Sequence, residues 1–137
     1  MVEAKAFVLD TPVLLLYFAG DKRVEHIVNR ISDGGAEGYM LEQCASELFE
    51  KLDAKFGYGM ANKRLEAIKN SKIKLVGTDF ELMKHAGEIR SAQKDRLSMI
   101  GAYMVALAKN LGAVIVTSDE NIARAGQVKV EYIRPKG

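Results

Sequence analysis

Apolar positions along this chain fall into short runs separated by helical stripes. Lys5–Asp10 (KAFVLD) is a brief apolar run ending on a carboxylate and predicts a buried strand. Thr11-Pro12 opens a helix over Val13–Ala19, with proline near the first turn, where its missing N–H leaves no bond unmade. Gly20 closes that helix. Asp21 caps a second, Lys22–Ile31, whose Val24, Ile27, Val28 and Ile31 share one face. A turn at Asp33-Gly34-Gly35 leads into a short strand, Gly38–Leu41. Glu42–Lys55 then reads as a strong helix, with Ala45, Leu48, Phe49, Leu52 and Phe56 along one stripe. Gly57 and Gly59 end it, and Ala61–Lys69 forms another helix.

The second half repeats the alternation. Lys72–Val76 (KIKLV) has period two and predicts a strand with one face exposed. Thr78 or Asp79 caps the helix Phe80–Gln93. Ser98–Leu111 is apolar almost all round, the mark of a buried helix, and Gly112 stops it. Ala113–Thr117 (AVIVT) is the clearest buried strand. Glu120–Ala125 is a short helix ended by Gly126, and Val128–Ile133 (VKVEYI) is an alternating edge strand. Strands separated by helices predict an α/β fold, a mainly parallel central sheet of about five strands flanked by helices. No repeat or linker interrupts the 137 residues, which read as one domain spanning 1–137.

Composition changes this picture little. Hydrophobic residues make up 48% and charged residues 28%, ordinary for a globular chain that buries its own core. The net charge of +2, from 20 basic and 18 acidic side chains, names no partner. Cys44 is the only cysteine and His26 and His85 the only histidines, so a metal site would be built mainly from carboxylates. Hard oxygen ligands favour Mg²⁺ or Mn²⁺ over zinc. No apolar run approaches the roughly 20 residues of a membrane span, and the first ten residues lack a signal-peptide layout. A cytoplasmic protein is the expectation.

The chemistry concentrates in acids that follow strands. In open parallel sheets ligands bind at the carboxyl ends of the strands. Two strands here end on aspartate, at Leu9-Asp10 and at Thr117-Ser118-Asp119. Each aspartate alone reads equally as a helix cap. Together with a third acid they would make a divalent-metal site. Glu42, Glu47 and Glu50 are the candidates. At about 100° per residue Glu47 lies opposite the apolar stripe of its helix, but periodicity does not choose among the three. An aspartyl-phosphate site of the phosphatase type would want a second aspartate where Pro12 stands. No glycine-rich nucleotide-binding motif is present.

Three blocks carry a resemblance. VLDTPVLLLYF, EGYMLEQCASELFEKL and RLSMIGAYMVALAKNLGAVIVTSDENI resemble, in order and spacing, the blocks of the PIN-domain family, most closely its VapC-type toxin ribonucleases. The resemblance covers nearly the whole chain. It implies a parallel sheet flanked by helices and Mg²⁺- or Mn²⁺-dependent cleavage of RNA. It places the family's acids on Asp10, Glu47 and Asp119, as metal ligands, with Glu47 alternatively orienting water. It further implies a homodimer and a small VapB-type antitoxin partner. Thr11, Thr117 and Ser118 are candidates for fixing the carboxylates. Arg90, Lys94 and Arg96, with Lys84, form a basic group before the buried helix that suits an RNA backbone. Lys22 and Arg23 form a second such group. Tyr17, Phe18, Phe56, Tyr58 and Met60 offer spare apolar surface for an interface.

One position departs from the pattern. The family carries an aspartate where this chain has Gly101. Asp95 lies six residues earlier, roughly 240° away on an ideal helix, and Glu120 reads as a first-turn residue answering the helix dipole. Two functions follow as expectations: a metal-dependent endoribonuclease with activity weakened at Gly101, or a catalytically silent module of the same fold that binds RNA or a protein.

Overall fold

A computed structural model describes residues 4–93 and 95–135. The chain runs β1 (Ala6–Leu9), α1 (Thr11–Phe18), α2 (Lys22–Ser32), β2 (Glu37–Leu41), α3 (Glu42–Phe56) and α4 (Tyr58–Lys69). It continues through β3 (Ile73–Val76), α5 (Phe80–Ala92), α6 (Met99–Leu111), β4 (Val114–Thr117), α7 (Glu120–Ala125) and β5 (Val130–Tyr132). All five strands pair in parallel, in the order β3-β2-β1-β4-β5.

That order has a functional consequence. From β1 the chain steps outward through β2 to β3, then crosses back to β4 on the other side of β1. Right-handed crossovers then place α1–α4 on one face and α5–α7 on the other. The helix pairs agree: α1 packs on α2 and α3, α3 on α4, and α5 on α6. β1 and β4 are covered on both faces, and Val8, Leu9, Ile115 and Val116 are wholly buried. Between them lies the point where strand order reverses, and there the crevice at the carboxyl ends opens.

The predicted elements all form, with shifted ends. Helix α1 begins at Thr11 because the Asp10 carboxylate accepts the Thr11 N–H, leaving Pro12 in the first turn. Gly59 lies inside α4 rather than before it. The break after α3 is made by Gly57 alone, whose φ of +89° is left-handed backbone that suits glycine. Asp79, not Thr78, caps α5 through the Leu82 N–H. Strand β5 is shorter than expected, since it pairs with β4 only from Val130 to Tyr132. Gly38 in β2 permits a close approach: a Cβ there would stand 2.6 Å from Ile31 Cδ1, so α2 lies directly on the strand.

Candidate active site at the carboxyl edge of the sheet

Register sets the geometry. Leu9 of β1 pairs with Val116 of β4, and the next backbone N–H, that of Asp10, donates to the Val116 carbonyl at 3.1 Å. Asp10 therefore leaves the sheet beside Thr117, and Asp119 follows two residues later. The Thr117 hydroxyl is completely buried and bridges the two acids. It donates to Asp10 Oδ2 at 2.6 Å and accepts the Asp119 N–H at 2.9 Å. Asp119 Oδ1 in turn accepts the Asn121 N–H at 2.8 Å and caps α7. Both aspartates thus cap helices, and the Thr117 hydroxyl links the side chain of one to the backbone of the other.

Asp10 is 7% exposed, unusual for a carboxylate with no cationic partner among the described residues. Burial pushes its carboxyl above the ordinary value. Hydrogen bonds from Thr117 and Thr11 pull it back, and the negative charges of Asp119 and Glu47 push it up again. Glu47 itself is exposed on α3. It comes near because the Thr11 hydroxyl donates to the Cys44 carbonyl at 2.9 Å, tying the first turn of α3 to the start of α1. Glu47 stands one turn further along the same helix. The Cys44 thiol is pushed up to about 12, by burial first and then by the Asp10 charge, so it stays protonated and is no ligand at neutral pH.

The donors present fit a hard divalent ion: carboxylate oxygens for which no cationic partner is found among the described residues. Among the described residues no three such side chains yet form a closed ligand group. Electrostatic proximity and ligating distance are different tests; Asp10, Asp119 and Glu47 satisfy the first. Glu42 lies elsewhere, folded over Gly77, where a Cβ would meet its Oε1 at 3.1 Å.

The other candidates separate. The Thr11 side chain holds α3 rather than a carboxylate; only its backbone N–H reaches Asp10. The Ser118 hydroxyl is buried without a partner among the described residues and fixes no acid. Arg90 is half-buried with Nε likewise unpartnered, Arg96 is exposed, and Lys94 lies outside the described residues. Gly101 is buried under α7. A Cβ there would meet Ser98 Oγ at 3.2 Å and Ile122 Cγ1 and Leu97 Cδ2 at 3.4 Å, a tight fit that asks Ser98 to give by a few tenths of an ångström. A cavity of about 340 Å³ at the amino ends of β2 and β3, lined by Ala36, Glu37, Lys72 and Lys74 among others, is at the opposite edge from the acids.

The sequence reading missed Asn121 and Arg124. With Asp95 and Arg96 they line a cavity of about 300 Å³. The spacing of Asn121 and Arg124, three apart on a helix, was the available signal.

A comparison with known proteins matches the PIN domain family model to residues 7–128. No curated protein matches in sequence. Among solved structures, a DNA-bound VapBC from Salmonella typhimurium superposes with a TM-score of 0.76 at 15% identity, covering 93% of this chain and 97% of that one. VapBC2 from Rickettsia felis, bound to a promoter DNA fragment, gives 0.75 at 11% identity, covering 93% and 98%. VapC20 from Mycobacterium tuberculosis, described as a toxin that cleaves the sarcin-ricin loop, gives 0.68 at 19% identity, covering 94% and 99%. At these identities the likeness is one of fold.

Proposed function

Given that this chain belongs to the PIN-domain family, we propose that it is a divalent-metal-dependent endoribonuclease of the VapC toxin type, acting as a single domain over 1–137. The observation that carries the reading is Asp10: a buried carboxylate at the strand-order reversal, raised by burial and by the charges of Asp119 and Glu47. Asp10 and Asp119 would hold Mg²⁺ or Mn²⁺, and Glu47 would complete the set or orient water. The ion would supply positive charge to the phosphodiester oxygens and acidity to a water. Thr117 keeps Asp10 in one rotamer and ties it to Asp119. Glu47, exposed at the mouth, is free to accept a hydrogen bond from an incoming water.

RNA enters as substrate from the family reading, supported by the exposed Arg96 and Arg124 that line one cavity with Asn121. A VapB-type antitoxin and a second copy of this chain are the proposed protein partners. Their support is the apolar surface at Phe56 (58% exposed) and Tyr58 (67%) and the groove of Leu15, Phe18, Leu52 and Phe56 edged by Lys51 and Lys55. No helix among the described residues is long and apolar enough to cross a membrane, and we place the protein in the cytoplasm.

One observation favours a second reading, a catalytically silent module that binds RNA or protein. Position 101 carries no side-chain oxygen, and its nearest neighbours Ile122, Leu97 and Ser98 supply no carboxylate in its place. Calorimetric titration with Mn²⁺ separates the two. The enzyme reading expects binding that Asp10→Asn abolishes, and Mn²⁺-dependent cleavage of RNA that the same variant loses. Absence of binding to the wild type ends it.

A further inference from the structure

The cavity lined by Asn121 and Arg124 has a wall chemistry that a plain phosphate site would not need. Asn121 and Arg124 reach it from one face of α7, and Asp95 and Arg96 from the connection between α5 and α6. The same short helix holds Asp119 as its cap and turns Ile122 inward beneath Gly101. The acid site is linked to one wall of the cavity through the backbone: the N–H of Asn121 is bonded to Asp119. Its volume of about 300 Å³ is at the lower end of small-ligand sites. The Arg124–Glu120 contact of 3.4 Å is between exposed groups and holds Arg124 only weakly.

We propose that this cavity is a guanine-selecting subsite for the nucleotide next to the cleaved phosphate. The inference rests on the ribonuclease reading for its substrate class. Arginines demand acceptors, and guanine offers an adjacent pair, O6 and N7, which a guanidinium grips with two bonds. A carboxylate demands donors, and guanine alone among the four bases presents two neighbouring ones, N1–H and the 2-amino group. Arg96 on one edge and Asp95 on the other match that pattern, with Arg124 beside them. A bare phosphate would be repelled by Asp95, and adenine would leave it half satisfied. The arginine not engaged on the edge supplies a flat surface for stacking or a contact to the backbone.

The test uses short uridine-rich single-stranded RNAs carrying one guanosine, one inosine or one adenosine. Binding to the full chain is read by fluorescence anisotropy in EDTA, where metal-dependent cleavage does not consume the probe. The guanosine RNA should bind about tenfold more tightly than the adenosine RNA, with inosine between because it lacks the 2-amino group. Asp95→Asn should erase the guanosine–inosine difference, and Arg96→Ala should weaken guanosine and inosine RNAs alike. Both positions are exposed, and circular dichroism checks that the variants fold. Equal binding of the three RNAs overturns the subsite, as does a preference that survives Asp95→Asn and Arg96→Ala. If the preference stands but Mn²⁺ elicits no cleavage, the catalytic reading fails and the subsite does not.

Discussion

Two residues decide the behaviour of the acid site. Asp10 carries a carboxyl held above its ordinary value of 3.8, by burial first, so the native chain binds that proton more tightly than the unfolded chain does. The group's contribution to stability is full below the unfolded value and is lost as pH rises through the raised native one. In EDTA, wild-type stability should therefore decline, as pH rises above the ordinary value of 3.8 and through the raised native one, more steeply than that of Asp10→Asn, whose amide keeps a capping oxygen. Urea midpoints across that range measure it, and parallel curves would contradict the assignment. Thr117 is the second residue. Thr117→Val leaves Asp10 Oδ2 and the Asp119 N–H without their shared partner and should lower stability by about 1–3 kcal/mol. Thr117→Ser keeps the hydroxyl and should recover most of that loss. Neither bond is visible in the string TSD, which reads only as a strand end followed by a cap.

Elements bring these residues together through close packing that sequence periodicity only half reveals. Helix α2 lies on β2 at Gly38, where an added methyl would overlap Ile31 Cδ1 and press Cγ2 at 3.0 Å. Ile31 is itself 2% exposed and has little room to move. Gly38→Ala should therefore destabilise the chain by about 1–3 kcal/mol, read by urea denaturation, despite the usual gain from replacing glycine in a strand. Gly101→Ala is a different case. Its contacts begin at 3.2 Å, and the gain of about 1 kcal/mol in helix propensity opposes the crowding. The net change should stay within about 1 kcal/mol of zero. A large loss would show that Leu97 and Ile122 cannot give. The apolar stripes of α2 and α3 and the buried character of α6 were legible in the sequence, because helical period and core exposure are local consequences of composition. The short reach of β5 and the packing of Ile122 on Gly101 were not, because each depends on a neighbour distant in sequence; the start of α4 was missed although its cause, the left-handed Gly57, is local.

At the scale of the whole molecule, the chain's last described strand is tied back to its second helix. Asp21 is 3% exposed, and its carboxylate binds Arg23 at 2.7 Å, while Arg23 also donates to the Arg134 carbonyl at 2.9 Å. Beside it, Ile133 N–H donates to the carbonyl of Thr117 at 2.8 Å, so the closing strand borders the site. Arg23→Ala should raise hydrogen exchange over residues 130–135 while leaving β1 and β2 protected. Uniform loss of protection would mean that Arg23 supports the whole fold rather than its edge. The arginine that sequence alone offered as a basic patch serves here as a clasp.

By itself, the sequence determined the kinds of element, their order, the parallel α/β class and the acids that end strands, because hydrophobic period, caps and glycines act within a few residues. The tertiary structure alone decided that β4 returns beside β1, that one threonine hydroxyl couples Asp10 to Asp119, and that Thr11 draws the helix of Glu47 toward both. It also decided that Ile122 packs against Gly101 and that Arg96 and Arg124 face one cavity. Those are contacts between segments far apart along the chain, set by sheet order and crossover hand, and no local pattern encodes them.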